Sequence, residues 1–194
     1  MQHFDINLNL LKAALTHSGK HDIRYYLNGV CFDPKKGRIM GTDGHRLFIA
    51  SVEKSDGEQI LIPNELIDMA LKAFKKLETV EMQVDGVKLA FVGAGSIIQG
   101  NTLDGKFPDV DRILPKKLSG ERAQINASYL HDAHKALKIA TNASSKACFP
   151  VFHNGNAPAV MVATQSDNKP VVSIIMPFAC TDTPEHAETL LGLV

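Results

Sequence analysis

Asp43 and His45 stand one residue apart in Thr42-Asp-Gly-His-Arg-Leu47, and a carboxylate beside an imidazole is a common way to move a proton near neutral pH. Nothing around them completes a catalytic set. The chain has no serine in a Gly-x-Ser-x-Gly turn and no glycine-rich loop closing on Lys-Ser or Lys-Thr. The simpler reading is structural: Asp43-Gly44 makes a tight turn between two apolar-alternating strands, Asp43 satisfies backbone N–H groups, and His45 packs at a sheet edge. His131 and His134 are three apart on one stretch and could face a metal, but no third ligand accompanies them. Cys31, Cys148 and Cys180 are scattered without a Cys-x-x-Cys pair, so neither zinc nor a disulfide framework is indicated, and no cofactor is implied.

A second set of candidates is cationic. Lys12 and Lys20, then Lys72, Lys75 and Lys76, then Lys135, Lys138 and Lys146 lie off the apolar faces of three successive helical stretches. One reading is that they complement helix dipoles, with Glu65, Asp68 and Asp132 doing the mirror job near the N-termini. The other follows from the threefold repetition: in repeated units that pack side by side, equivalent helix faces line one surface, and a surface lined with lysine suits a phosphate backbone.

The elements that must position these residues follow from periodicity. Phe4 and Ile6 alternate as a strand, and Leu8, Leu11 and Leu15 recur at helical spacing up to Ser18-Gly19. Strands are expected at Arg24–Phe32, Arg38–Thr42 and Arg46–Val52. The order then repeats: strand Gln59–Ile62, a helix opened by Pro63-Asn64 with Leu66, Ala70, Ala73 and Leu77 on one face, and strands Thr79–Val84, Val87–Val92 and Ser96–Thr102. Leu103–Leu118, broken by Pro108 and Pro115, reads as a connector. A third copy follows with a strand at Ala123–Ile125, a helix capped by Asn126 or Ser128, and strands Ala147–His153, Ala157–Ala163 and Val171–Met176. Three β-α-β-β-β units thus define an α+β protein. A tail, 179–194, remains, in which Thr183-Pro-Glu185 could start a short helix.

Composition limits the function. The 194 residues are 44% hydrophobic, enough for a real core, and 21 Lys+Arg balance 21 Asp+Glu. No global field drives this chain onto nucleic acid, which counts against a sequence-reading DNA binder. Without an apolar leader or a long apolar run, no membrane role is expected and the cytoplasm is the default location.

Three motifs carry a family resemblance: Arg24-Tyr-Tyr-Leu-Asn-Gly29, Thr42-Asp-Gly-His-Arg-Leu47, and Asp104-Gly-Lys-Phe-Pro-Asp109 followed by Arg112-Ile-Leu-Pro115. In this order and spacing they resemble the middle domain of the bacterial DNA sliding clamp, the beta subunit of DNA polymerase III. The resemblance runs from Phe4 to Pro115. It implies a clamp domain of two modules over 1–115, a single module resembling part of the C-terminal domain over 116–178, and a tail over 179–194. The DNA clamp fold it implies sets helices inside a ring and sheets outside. The departures are a missing first domain, a last domain reduced to one module, Val110 where an aromatic is usual, and a chain that continues past Pro177.

The resemblance also implies a peptide-binding groove. Leu27 matches the first motif; Thr42, Gly44, His45, Arg46 and Leu47 match the turn; Pro108, Arg112 and Ile113 match the connector; Ile174, Ile175, Met176 and Pro177 match the closing strand. Arg24 and Tyr25 join the helix lysines as residues expected to face DNA. The implied function is non-enzymatic: a processivity factor that encircles duplex DNA without regard to sequence, tethers a DNA polymerase or other partner through the groove, and is opened by a clamp loader. The alternative is a stand-alone module that binds clamp-binding peptides without encircling DNA. The third unit has no in-chain module to pair with and should find another chain, with a homotetramer favoured by twelve-module arithmetic. Glu188–Val194 carries Leu191 and Leu193 at the spacing of peptide anchors and could dock in a groove.

Overall fold

The computed structural model describes residues 1–178, and the expectations for the tail lie outside them. The first unit comprises β1 (Gln2–Asn7), α1 (Leu8–Leu15), a 3-10 turn at Tyr25–Leu27, β2 (Gly29–Asp33), β3 (Arg38–Thr42) and β4 (Arg46–Ser51). The second comprises β5 (Ile60–Pro63), α2 (Asn64–Ala73), β6 (Thr79–Asp85), β7 (Lys88–Gly93) and β8 (Ser96–Asn101). After a connector with a 3-10 turn at Val110–Arg112 come α3 (Ala127–Ala140), β9 (Val151–Phe152), β10 (Ala159–Thr164) and β11 (Pro170–Ile175). Asn7 caps α1, accepting from the backbone N–H of Asn9 at 2.8 Å, and Asn126 caps α3 through Ser128 at 2.9 Å. No helix among the described residues is long and apolar enough to cross a membrane.

The first two units exchange their leading strands. β1 pairs with β6 in a four-stranded sheet ordered β1-β6-β7-β8, while β5 pairs with β2 in a seven-stranded sheet ordered β5-β2-β3-β4-β11-β10-β9. The third unit is added edge to edge through β4 and β11, with Leu47 opposite Ile174 and Arg46 opposite Ile175. It therefore has an in-chain neighbour after all, because backbone pairing with β4 covers one side of its sheet and α3 packs against α1.

Alternation of side chains across this large sheet builds two apolar layers. Val30, Phe32, Ile39, Phe48, Ala50, Ile62, Val171 and Ile175 face the helices and join the main core, with Leu11, Ala14, Ile67, Ala133 and Leu137. Cys31, Met40, Leu47, Ile49, Leu61 and Ile174 face the other way and are covered by Phe107 and Val110 of the connector. The connector is held there partly by Lys36 and Arg38, whose hydrogen bonds to Asp111 keep that carboxyl down at about 2. Helix α1 lies so close to β3 that a Cβ on Gly41 would sit 2.1 Å from the Ala14 carbonyl oxygen.

Three expected strands are shorter than their apolar patterns suggested. Arg24–Phe32 is not one strand: Asp22 accepts from the Arg24 backbone N–H at 2.8 Å and the chain turns through Tyr25–Leu27, so pairing begins only at Gly29. Among the described residues Ala123–Ile125 contributes one bridge, Gln124 to Phe178. Ala147–His153 pairs only at Val151–Phe152, where β10 runs alongside.

Candidate functional site

The turn at 43–45 is built by its own side chains. Asp43 Oδ1 accepts from the backbone N–H of His45 at 2.9 Å and of Arg46 at 3.1 Å, and Gly44 takes φ +90°, a conformation glycine adopts at little cost. Asp43 Oδ2 also receives Arg46 Nε at 3.0 Å. The carboxylate is thereby committed to the turn and to a guanidinium, and the His45 ring stacks on Tyr129 with centroids 6.3 Å apart. These contacts leave the two side chains in no acid–base arrangement. His134 Nε2 donates to the Ala147 carbonyl at 2.9 Å, and among the described residues no group of three or more His, Cys, Asp or Glu could hold a metal ion.

A cavity of about 230 Å³ opens on the connector side of the large sheet. Its floor is Leu27, Leu47 and Ile174, each no more than 1% exposed, because these positions fall on the outward face of their elements. Thr42, Gly44 and Arg46 form the turn side, Pro108, Val110 and Ile113 the connector side, and Met176, 36% exposed, the rim. The Met176 backbone N–H donates to the His45 carbonyl at 2.9 Å, so the closing strand is tied to the turn. An apolar slot with a few polar edges suits an extended peptide with apolar anchors.

Most residues expected in the groove thus meet around one cavity, and four do not. Ile175 is fully buried on the opposite face against the helices, as strand alternation requires of the residue after Ile174. His45 stacks on Tyr129, Pro177 lies beyond the strand end, and Arg112 reaches back to Asp109 at 3.0 Å with most of its side chain exposed. Tyr26, Asp109 and Val110 line the cavity and were not among the expected groove residues. Tyr26 and Asp109 lie inside the motifs that pointed to the groove, and Val110, noted above only as a departure from the family pattern, stands between the two parts of the third motif.

Arg24, expected to face DNA, lines the cavity: it bonds to Asp22 twice through its side chain and to the Asp43 carbonyl at 3.1 Å. Those hydrogen bonds hold the Asp22 carboxyl down at about 2. Tyr25 is half exposed beside Tyr26.

On the other side of the sheet the three helices wall a concavity of about 800 Å³. Lys12, Lys20, His21 and Lys135 line it together with Arg46, opposed by Glu65, Asp68 and Asp132. Lys72, Lys75, Lys76 and Lys146 are exposed and Lys138 half-buried, all outside this concavity. Lysines from two of the three units, Lys12 and Lys20 of the first and Lys135 of the third, thus meet on one surface.

The chain is similar to known proteins in sequence and in fold. The family model described as "DNA polymerase III beta subunit, central domain" matches residues 8–109, just over half of the chain. The beta sliding clamp of Pseudomonas putida is 33% identical over 114 residues, covering 55% of this chain and 31% of that protein. That of Vibrio cholerae is 30% identical over 139 residues, covering 69% and 38%. The chain therefore spans about a third of the length of these relatives. The crystal structure of the DNA polymerase III subunit beta from Pseudomonas aeruginosa superposes with TM-score 0.71 at 18% identity, covering 93% of this chain and 67% of that one. The Helicobacter pylori beta clamp bound to a DNA ligase peptide gives 0.72, also at 18% identity, covering 92% and 66%. Motifs, exchanged two-unit domain and matched model lead to one conclusion: the chain belongs to the bacterial sliding clamp family, that of the DNA polymerase III beta subunit.

Proposed function

We propose that this chain is a DNA sliding clamp, a non-catalytic processivity factor of DNA replication that acts in the cytoplasm. In this reading it encircles duplex DNA without regard to sequence, its helix-walled concavity meets the phosphate backbone through lysines, and its groove tethers a DNA polymerase or another partner by an extended peptide. A loader would open the ring, and a homotetramer would close it. The observation that carries the reading is the cavity in which the first motif, the turn, the connector and the closing strand meet. Support by likeness comes from the Helicobacter pylori clamp, which is described with a DNA ligase peptide bound.

The groove is the part to test first. A fluorescently labelled peptide with a glutamine followed by spaced leucine and phenylalanine should bind saturably in an anisotropy titration. Truncating a floor or rim anchor, Leu27→Ala or Met176→Ala, should weaken binding by about 1–3 kcal/mol. Absence of saturable binding by the unaltered protein would refute the groove. A second reading, a stand-alone peptide-binding module that does not encircle DNA, rests on the same cavity, because the first motif, the turn, the connector and the closing strand of one chain together enclose it.

A further inference from the structure

Helix α3 supplies none of the residues that line the groove cavity, yet it grips one that does. Arg46 Nη1 donates to the Asp132 carboxylate, and the Arg46 guanidinium carbon lies 5.0 Å from the centre of the Tyr129 ring. Asp132 and Tyr129 are three residues apart on α3 and so share a helix face. From the opposite side Asp43 Oδ2 takes Arg46 Nε at 3.0 Å. The guanidinium is thereby fixed by two carboxylates and a ring face, and the Arg46 side chain is only 14% exposed. A guanidinium has five N–H donors, so two carboxylate bonds leave donors for a ligand in the cavity.

We infer that Tyr129 and Asp132 are positioning residues for the groove: they act through Arg46, and make peptide capture depend on the docking of the third unit's helix. This inference rests on the groove reading above. The physical basis is preorganisation. A free arginine side chain samples many rotamers, and a ligand that needs its guanidinium in one place must pay to order it. Clamped between Asp43, Asp132 and Tyr129, Arg46 is ordered before the ligand arrives. Ala133, Ala136 and Leu137, fully buried in the main core, set the height and rotation of α3 and hence where Asp132 and Tyr129 stand. Among the described residues Arg46 is also the one side chain common to the linings of the groove and of the helix-walled concavity, so it stands in the wall between them.

The test uses the full chain and the labelled peptide named above, with thermal unfolding recorded on each variant. Asp132→Asn keeps the shape and removes the charge; Tyr129→Leu keeps bulk and removes the ring face. Each should weaken peptide binding roughly three- to tenfold, the cost of reordering one arginine. Asp132→Glu retains the carboxylate and Tyr129→Phe retains the ring, and both should bind within about twofold of the parent by the same reasoning. A role in stability alone would not give this split between conservative and disruptive variants. Parent-like binding by both Asp132→Asn and Tyr129→Leu, or equal losses across all four variants in step with their melting temperatures, would overturn the inference and leave the groove standing. If the parent itself shows no saturable binding, the groove reading falls, and this inference with it. Should Asp132→Asn fail to fold, the Tyr129 pair decides.

Discussion

His17 has no exposed surface, and its two ring nitrogens lie 2.8 Å from Thr16 Oγ1 and 2.8 Å from Ser173 Oγ. It thus joins the end of α1 to β11, a buried polar link between the first and third units. Burial, with Arg46 nearby, lowers its pKa from 6.5 to about 3, so it stays neutral in the fold. Between those two values the unfolded chain holds a proton that the folded chain does not, so stability rises with pH there and is lost as pH falls from 6.5 toward 3. The slope from this residue should approach about 1.4 kcal/mol per pH unit. Urea unfolding of the parent and of His17→Gln at several pH values in that window checks it: the variant should lose this share of the slope, and identical slopes would contradict it. Asp43 and His45 teach the opposite lesson at this scale. Their spacing suggested chemistry, and their actual partners, backbone N–H groups, Arg46 and Tyr129, are all structural.

The contact of α1 with β3 depends on a missing side chain. Gly41 lies on a strand flanked by larger residues, and a methyl there would need the α1 backbone to move away from Ala14. Since α1 also packs against α2 and α3, that movement would disturb all three helices. Gly41→Ala should therefore destabilise by about 1–3 kcal/mol, as overpacking does, with a lower denaturation midpoint. A midpoint equal to the parent's would mean that the helix can shift at no cost. The element boundaries show what pattern can and cannot say. Apolar alternation located β2, β3, β4 and β11, and it would have separated Ile174 from Ile175 had the register been known. It overran at Arg24–Phe32 because alternation records a residue's fitness for a strand, whereas a strand exists only where a neighbour pairs with it.

At the scale of the whole molecule, β8 and β9, like β1 and β5, stand at the ends of their sheets among the described residues. β8, Ser96–Asn101, carries no charge or proline and exposes Ile97 at 62%, and β9 exposes Phe152 at 41%. Uncharged open edges are a liability that folded proteins normally cover. The case for self-association now rests on these edges and no longer on an unpaired third unit, since β11 has β4 beside it. Closed symmetric assemblies are the usual outcome, and four chains of 21.1 kDa would give a ring of about 84 kDa. Light scattering at tens of micromolar should report that mass, with dissociation on dilution. A stable monomer would favour the stand-alone module, and a trimer would break the arithmetic of three units per chain.

Local signals in the sequence determined much about this protein: the order of helices and strands in its three units, the cap at Asn126, the turn at Asp43-Gly44, and the motifs that marked its family. Each of these depends on residues within a few positions of one another, where side-chain period and turn chemistry act directly. The tertiary structure alone decided that β1 and β5 change places between units, that β11 joins β4 more than a hundred residues away, and that Arg24 lines the same cavity as Leu27 and Ile174. It also decided that α3 holds Arg46 from behind. Such pairings are selected by which edges and faces remain to be covered once the local elements exist, and that competition among distant parts leaves no period or spacing in the chain to read.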